Sequence, residues 1–178
     1  MTPEPKVLAV IPARGGSKGL PGKNIRPFAG LPLIGHSIKF SKLCPEITRC
    51  IVSTDSPEIA EIGRSLGGDV PFMRPTELAQ DETPMLPVLT HSLKFAEEQD
   101  GQQYDLLLLL DPTSPAREPV DVSGAMRCLL ENSEADGIIG VSQPEFNPIS
   151  HCVVERDGWM ADLIEGGGRF QRRQDEPT

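Results

Sequence analysis

The sequence predicts an α/β domain built on a doubly wound, mostly parallel sheet with helices on both faces. Two observations carry this expectation. Short apolar runs of strand length recur at 6–12 (KVLAVIP), 48–54 (TRCIVST) and 104–110 (YDLLLLL), and they are apolar nearly throughout, as strands covered on both faces are. Segments of helical periodicity separate them, and such alternation implies a parallel sheet wrapped by its own connections.

The first run leads into residues 11–24 (IPARGGSKGLPGKN), which place Arg14, Lys18 and Lys23 among Gly15, Gly16, Gly19 and Gly22. Glycines let the backbone come close to a ligand, and the cations supply charge-assisted hydrogen bonds to phosphate oxygens. The loop stands at the C-terminal end of the first strand, where open α/β sheets bind ligands. A flexible basic surface loop is the plainer alternative, but it does not account for that joint placement. Two better-known glycine motifs do not fit. Counting back from Gly22-Lys23, the first glycine of a P-loop falls on Ser17, and Asn24 stands where that motif needs a hydroxyl; adjacent Gly15 and Gly16 break the dinucleotide fingerprint.

After the second run, 57–66 reads as a helix with Ile59, Ile62 and Leu66 on one face and Ser56 as N-cap. Residues 74–83 read as a loop entering a second helix, with Pro84 in its first turn, Asp81 or Thr83 as possible caps, and Leu86, Leu89, Leu93 and Ala96 as its core stripe. The third run ends at Asp111-Pro112-Thr113-Ser114-Pro115, and a helix follows with Val122, Met126, Leu129 and Leu130 inward. Residues 136–141 read as a further strand. Beyond Gln143, residues 149–164 read as two short strands around Asp157-Gly158, a dipeptide suited to a tight hairpin, followed by a glycine break at 166–168. His36 and His91 fall within helical patterns and read as satisfied structural residues.

Composition narrows the function classes. The 178 residues are 38% hydrophobic, enough for one well-buried domain, and the longest apolar run, 106–110, is far too short to span a bilayer. With no charged-then-apolar leader in view, the expectation is a soluble, cytoplasmic protein with no membrane partner. Cys44, Cys50, Cys128 and Cys152 lack metal-site spacing and read as isolated buried thiols. The net charge of -9 argues against a nucleic-acid partner. Residues 1–26 nevertheless carry Lys6, Arg14, Lys18, Lys23 and Arg26 against Glu4 alone, a positive enclave suited to a small polyanion such as a nucleoside triphosphate.

Four ordered segments resemble the acylneuraminate cytidylyltransferase family: the R-G-G-S-K-x-x-P-G-K-N loop from Arg14, the R-P-x-x-L-A-x-D segment whose ends are Arg74 and Asp81, Leu110 to Arg117 (LDPTSPAR), and Arg172 to Asp175 (RRQD). The resemblance implies a Rossmann-like fold of the nucleotide-diphospho-sugar transferase type, with a nucleotide-binding core over 1–143 and, over 144–178, a hairpin excursion for dimerisation and the sugar pocket. It implies transfer of CMP from CTP to a nonulosonic, sialic-acid-like sugar acid with Mg2+ as cofactor, in a homodimer. Nucleotide contacts are implied for Ala13, Arg14, Gly15, Gly16, Ser17, Lys18, Lys23, Asn24, Arg74, Asp81 and Thr83, with Arg14 and Lys23 serving the triphosphate and departing pyrophosphate. Sugar contacts are implied for Asp111, Thr113, Ser114, Arg173 and Gln174.

Asp111 departs from the pattern, since the family usually has glutamine there. An ionised aspartate repels a carboxylated sugar unless a cation lies between them, so Asp111 becomes a candidate Mg2+ ligand, with a cap on the Pro-Thr-Ser turn as the alternative. The resemblance also implies a continuation past RRQD bearing a metal-binding aspartate. Two other readings therefore stand beside the enzyme: a catalytically silent nucleotide-binding relative, and a nucleotidyltransferase of the same architecture using another base or sugar acid.

Overall fold

Strand β1 (Val7–Pro12) is the axis of the molecule, and in the computed structural model, which describes residues 4–141, 152–163 and 165, it is flanked in parallel by β4 (Arg49–Ser53) and β5 (Leu106–Leu109). Ala9 lies opposite Cys50 on one side and Leu108 on the other. The five residues from Val7 to Ile11 are at most 1% exposed, as expected for a central strand with no polar side chain to orient it.

The strand's alternation assigns the helices to faces. Ala9 and Ile11 pack with Ile34 and Ile38 of α1 (Leu33–Ser41), Ile59 and Ala60 of α2 (Pro57–Ser65) and Val122 of α4 (Pro119–Glu131). Leu8 and Val10 point the other way, against Ala96, Leu89 and Leu93 of α3 (Met85–Asp100). Burial on both faces is the doubly wound arrangement that the continuous apolar runs predict.

Local signals set the helix ends. The Ser56 hydroxyl accepts the Ile59 amide at 3.3 Å, and Pro57 opens α2 where no donor is needed. Glu118 and Asp121 form a reciprocal cap on α4. Neither Asp81 nor Thr83 caps α3; Pro84 precedes the helix instead of opening its first turn, and the Thr83 hydroxyl donates to the Glu77 carbonyl. A ribbon of two-residue strands, β2 (Pro27–Phe28) and β3 (Leu31–Pro32), turns through Ala29-Gly30 and has no counterpart in the sequence reading.

Several expectations are corrected. Residues 136–141 form no strand: Gly137 and Gly140 weaken an extended segment, and Ile139 stays 82% exposed with no partner strand among the described residues. In α3 the most buried positions are Val88, Ser92 and Ala96, while Leu86 is exposed; in α4 Leu130 is exposed. Of the cysteines, Cys44 is buried and Cys50 half-buried, whereas Cys128 and Cys152 lie at the surface. His91 stacks edge-on to Phe72 at 4.7 Å, and its buried Nδ1 has no hydrogen-bond partner among the described residues, so it is held by packing.

The chain divides into two units, 1–135 and 136–178. In the second, β6 (Val153–Arg156) and β7 (Trp159–Asp162) pair antiparallel around Asp157 and Gly158, whose φ values of 53° and 81° are those of the tight turn this dipeptide favours. The glycine break at 166–168 lies outside the described residues. No described helix is long and apolar enough to cross a membrane.

Candidate active site

The phosphate-loop candidates converge at the C-terminal ends of the parallel strands. Arg14, Ser17, Lys18, Lys23 and Asn24 from the loop after β1 line one cavity of about 480 Å³ with Arg74, Asp81 and Thr83 from the 74–83 segment and with Asp111 and Thr113 from the end of β5. Gly15 and Gly16 line an adjoining shallow cavity with Arg14, Lys18 and Asp81. Ser114 lines neither cavity; its amide donates to the Asp111 carbonyl at 3.1 Å. Arg173 and Gln174 lie outside the described residues.

The loop is fixed by its own hydrogen bonds. Ala13 is fully buried and its amide donates to the Ser53 carbonyl at 2.9 Å, so this residue anchors the loop to β4. The Gly15 amide donates to Asp55 Oδ1 at 2.9 Å. Asn24, only 5% exposed, donates from Nδ2 to the Arg14 carbonyl at 3.0 Å and closes the loop's base. Gly22 takes a left-handed φ of 65°, which a glycine adopts without strain, and launches the 3-10 turn Lys23–Ile25. Amide hydrogen bonds to Asp55 and Ser53 therefore occupy two of the backbone donors that the sequence points toward phosphate.

The same close packing constrains residue 15. A Cβ added to Gly15 meets the Ser56 Cβ at 3.0 Å, tighter than side-chain contacts normally allow. Gly15→Ala is expected to push the loop off the end of β4, costing on the order of 1–3 kcal/mol of stability and weakening triphosphate binding more than the melting temperature suggests. Parallel melting and calorimetric titrations of the variant check this; unchanged binding would show that the ligand does not use the loop.

Arg74 points inward. Its Nε donates to Ser53 Oγ at 3.0 Å and its NH2 to the Ser53 carbonyl, while its amide donates to the Thr54 carbonyl at 2.7 Å. Burial lowers its pKa, opposed by the nearby Asp55 carboxylate. Asp111 Oδ1 accepts from the Thr113 amide at 2.9 Å and hydroxyl at 2.8 Å, which is the turn cap weighed against a metal role; Oδ2 lies outside those bonds. Arg117 donates to the Asp111 carbonyl and to Ser37 Oγ at 3.3 Å, and its guanidinium lies 5.9 Å from the centre of the Phe40 ring, tying the 111–117 segment to α1.

Asp55 and Arg117 are the residues that sequence reasoning passes over. Asp55 follows the C-terminal end of β4, and the rule that locates the phosphate loop also applies there. A further cavity of about 380 Å³ surrounds the start of β4 and includes Cys44 and Cys50. Burial pushes the Cys50 thiol up to about 11 and also raises that of Cys44, so both are held as thiols.

A parallel sheet whose strand ends bring a cationic glycine loop, a buried arginine and a carboxylate into one cavity makes this an α/β protein with its candidate ligand crevice at the position usual for open sheets. The family model described as cytidylyltransferase matches residues 8–135, and the chain belongs to that family. It is 35% identical over 172 residues to the post-translational flagellin modification protein B of Campylobacter coli, covering 97% of this chain and 72% of that one. It is 41% identical over 148 residues to the CMP-N,N'-diacetyllegionaminic acid synthase of Legionella pneumophila subsp. pneumophila, covering 82% of this chain and 59% of that protein. The chain thus spans about three fifths of the second relative's length. The fold matches the structure of CMP:2-keto-3-deoxy-manno-octonic acid synthetase complexed with CTP at a TM-score of 0.57 and 24% identity, over 71% of this chain and 48% of that one.

Proposed function

We propose that this chain carries the CTP-binding part of a cytidylyltransferase that joins CMP to a nonulosonic, sialic-acid-like sugar acid and releases pyrophosphate. The observation that carries the reading is the convergence of Arg14, Lys18 and Lys23 with Arg74, Thr83 and Asp111 in one cavity. The sugar class is supported by the relative named as a legionaminic acid synthase.

In this reading the anomeric hydroxyl of the sugar acid attacks the α-phosphorus of CTP. A new P–O bond forms as the bond to the β-phosphate bridging oxygen breaks, the electron pair leaves on pyrophosphate, and the proton of the attacking hydroxyl is released to solvent. Catalysis of this kind rests on positioning and on neutralising charge at the bridging oxygens. Lys23 and Arg14 supply that charge, and Asn24 and Asp55 hold the loop that presents them. Asp111 is the residue proposed to hold Mg2+, through Oδ2 and together with phosphate oxygens; Mg2+ favours such sets of one or two carboxylates plus substrate. When bound, the ion supplies charge neutralisation to the phosphates.

A homodimer and a cytoplasmic location belong to the same proposal. The exposure of Val153, Trp159 and Met160 on the hairpin supports a protein contact there. Base choice is open to a direct experiment. In a competition titration, CTP is expected to displace a bound nucleotide better than GTP, ATP or UTP. A result in which GTP wins moves the function to purine nucleotidyl transfer while leaving the phosphate loop intact.

A further inference from the structure

Asp81 stands where a phosphate belongs. Its Oδ1 lies 2.5 Å from the NH1 of Arg14, and its Oδ2 pairs with the Lys18 ammonium, so one carboxylate engages two of the loop's three cations at once. It reaches them from the segment after the 3-10 turn Thr76–Leu78, 67 positions along the chain from Arg14. Lys18 first, and then Arg14, hold its carboxyl below the usual range, so it stays ionised at neutral pH.

This contact contributes little to stability. The side chains of Arg14, Asp81 and Lys18 are 31%, 34% and 81% exposed, and ion pairs in such positions are weak. Nor does Asp81 suit a phosphate contact, because an ionised carboxylate only accepts hydrogen bonds and repels a phosphate oxygen. A polyphosphate that takes Arg14 and Lys18 has to remove Asp81 from them.

We infer that Asp81 is a built-in counter-anion for the phosphate loop, displaced when a polyphosphate enters, and that it sets how tightly the site holds pyrophosphate. The inference rests on the proposed nucleotidyl transfer, in which pyrophosphate is the leaving group. With Asp81 in place the two cations are held together and half of their charge is offset, so weak anions are disfavoured. After transfer, the carboxylate competes with pyrophosphate for the same two cations and assists its release.

Calorimetric titration of the protein and of Asp81→Asn and Asp81→Ala with pyrophosphate, and separately with CTP, tests this. Asparagine keeps the shape and loses the charge; alanine removes both, and a melting curve confirms that each variant folds. Loss of the competitor is expected to tighten pyrophosphate binding about three- to thirtyfold in both variants. Unchanged or weaker binding in the variants, beside a wild type that binds, overturns the counter-anion and makes Asp81 a positioning group for Arg14 and Lys18. A wild-type protein that binds neither pyrophosphate nor CTP overturns the proposed function and the counter-anion with it.

Discussion

Lys23→Ala is expected to weaken CTP binding about ten- to a hundredfold while leaving CMP within about threefold, because a hydrogen bond to a charged group contributes about 1.5–3 kcal/mol and the long cation serves the distal phosphates. Two features make this the residue of choice. Lys23 has no ion-pair partner among the described residues, whereas Arg14 and Lys18 share Asp81. It also begins the short 3-10 turn launched from left-handed Gly22, so its backbone is fixed while its side chain lines the cavity. The melting temperature should hold, since the side chain supports nothing in the core. Equal weakening of CTP and CMP in a calorimetric comparison would remove Lys23 from the distal phosphates.

Arg74→Ala should produce the largest loss of stability among the site variants, about 2–4 kcal/mol, or roughly 6–12 °C in melting temperature for a chain of this size. Arg74 is only 6% exposed and Ser53 is fully buried, so truncation strands the Ser53 hydroxyl and opens a void beneath the end of β4. That strand end leads to Asp55, which holds the Gly15 amide, so CTP binding should fall in step with stability. A variant that melts normally but binds CTP poorly would show that the guanidinium contacts the nucleotide and is not a pin.

The comparison of these two residues shows what the sequence makes legible. The cation-rich loop was placed correctly because a parallel strand's C-terminal end is a ligand position whatever the side chains around it, and the β1, β4 and β5 runs are unmistakably apolar. Ser56 and Asp157-Gly158 act through neighbours two or three positions away, so their cap and turn were also readable. Side-chain partners were not. Asp55 meets Gly15 across 40 positions and Asp81 meets Arg14 across 67, distances over which only the assembled sheet brings groups together. The resemblance implies a nucleotide contact for Arg74, but charge and motif say nothing about whether a guanidinium turns inward to a serine. Helix phase was legible in part: Leu89, Leu93 and Ala96 of α3 pack on the sheet as expected, whereas Leu86 is exposed. A periodic stripe marks a face without fixing its rotation, and in α3 the buried line runs through Ser92, whose hydroxyl is satisfied by the Val88 carbonyl at 3.0 Å. Residues 136–141 carry strand-like composition, yet extended structure needs a partner as well as a propensity.

The place of β1 ahead of both its neighbours in the sequence has a consequence for biosynthesis. This strand is synthesised first, but its two neighbours begin at Arg49 and Leu106, and the bond from the Lys6 amide to Asp105 spans 99 positions. Parallel pairings between such distant segments form slowly, because a long loop must close before any contact rewards it. At translation rates of about 5–20 residues per second, this apolar central strand waits roughly 5–20 s for its second neighbour. Throughout that interval the edge of Val-Leu-Ala-Val-Ile that β5 will cover is open, with no charge within the strand to discourage self-association. The nascent chain is therefore most open to self-association before residue 106 emerges, while β1 still lacks its second neighbour.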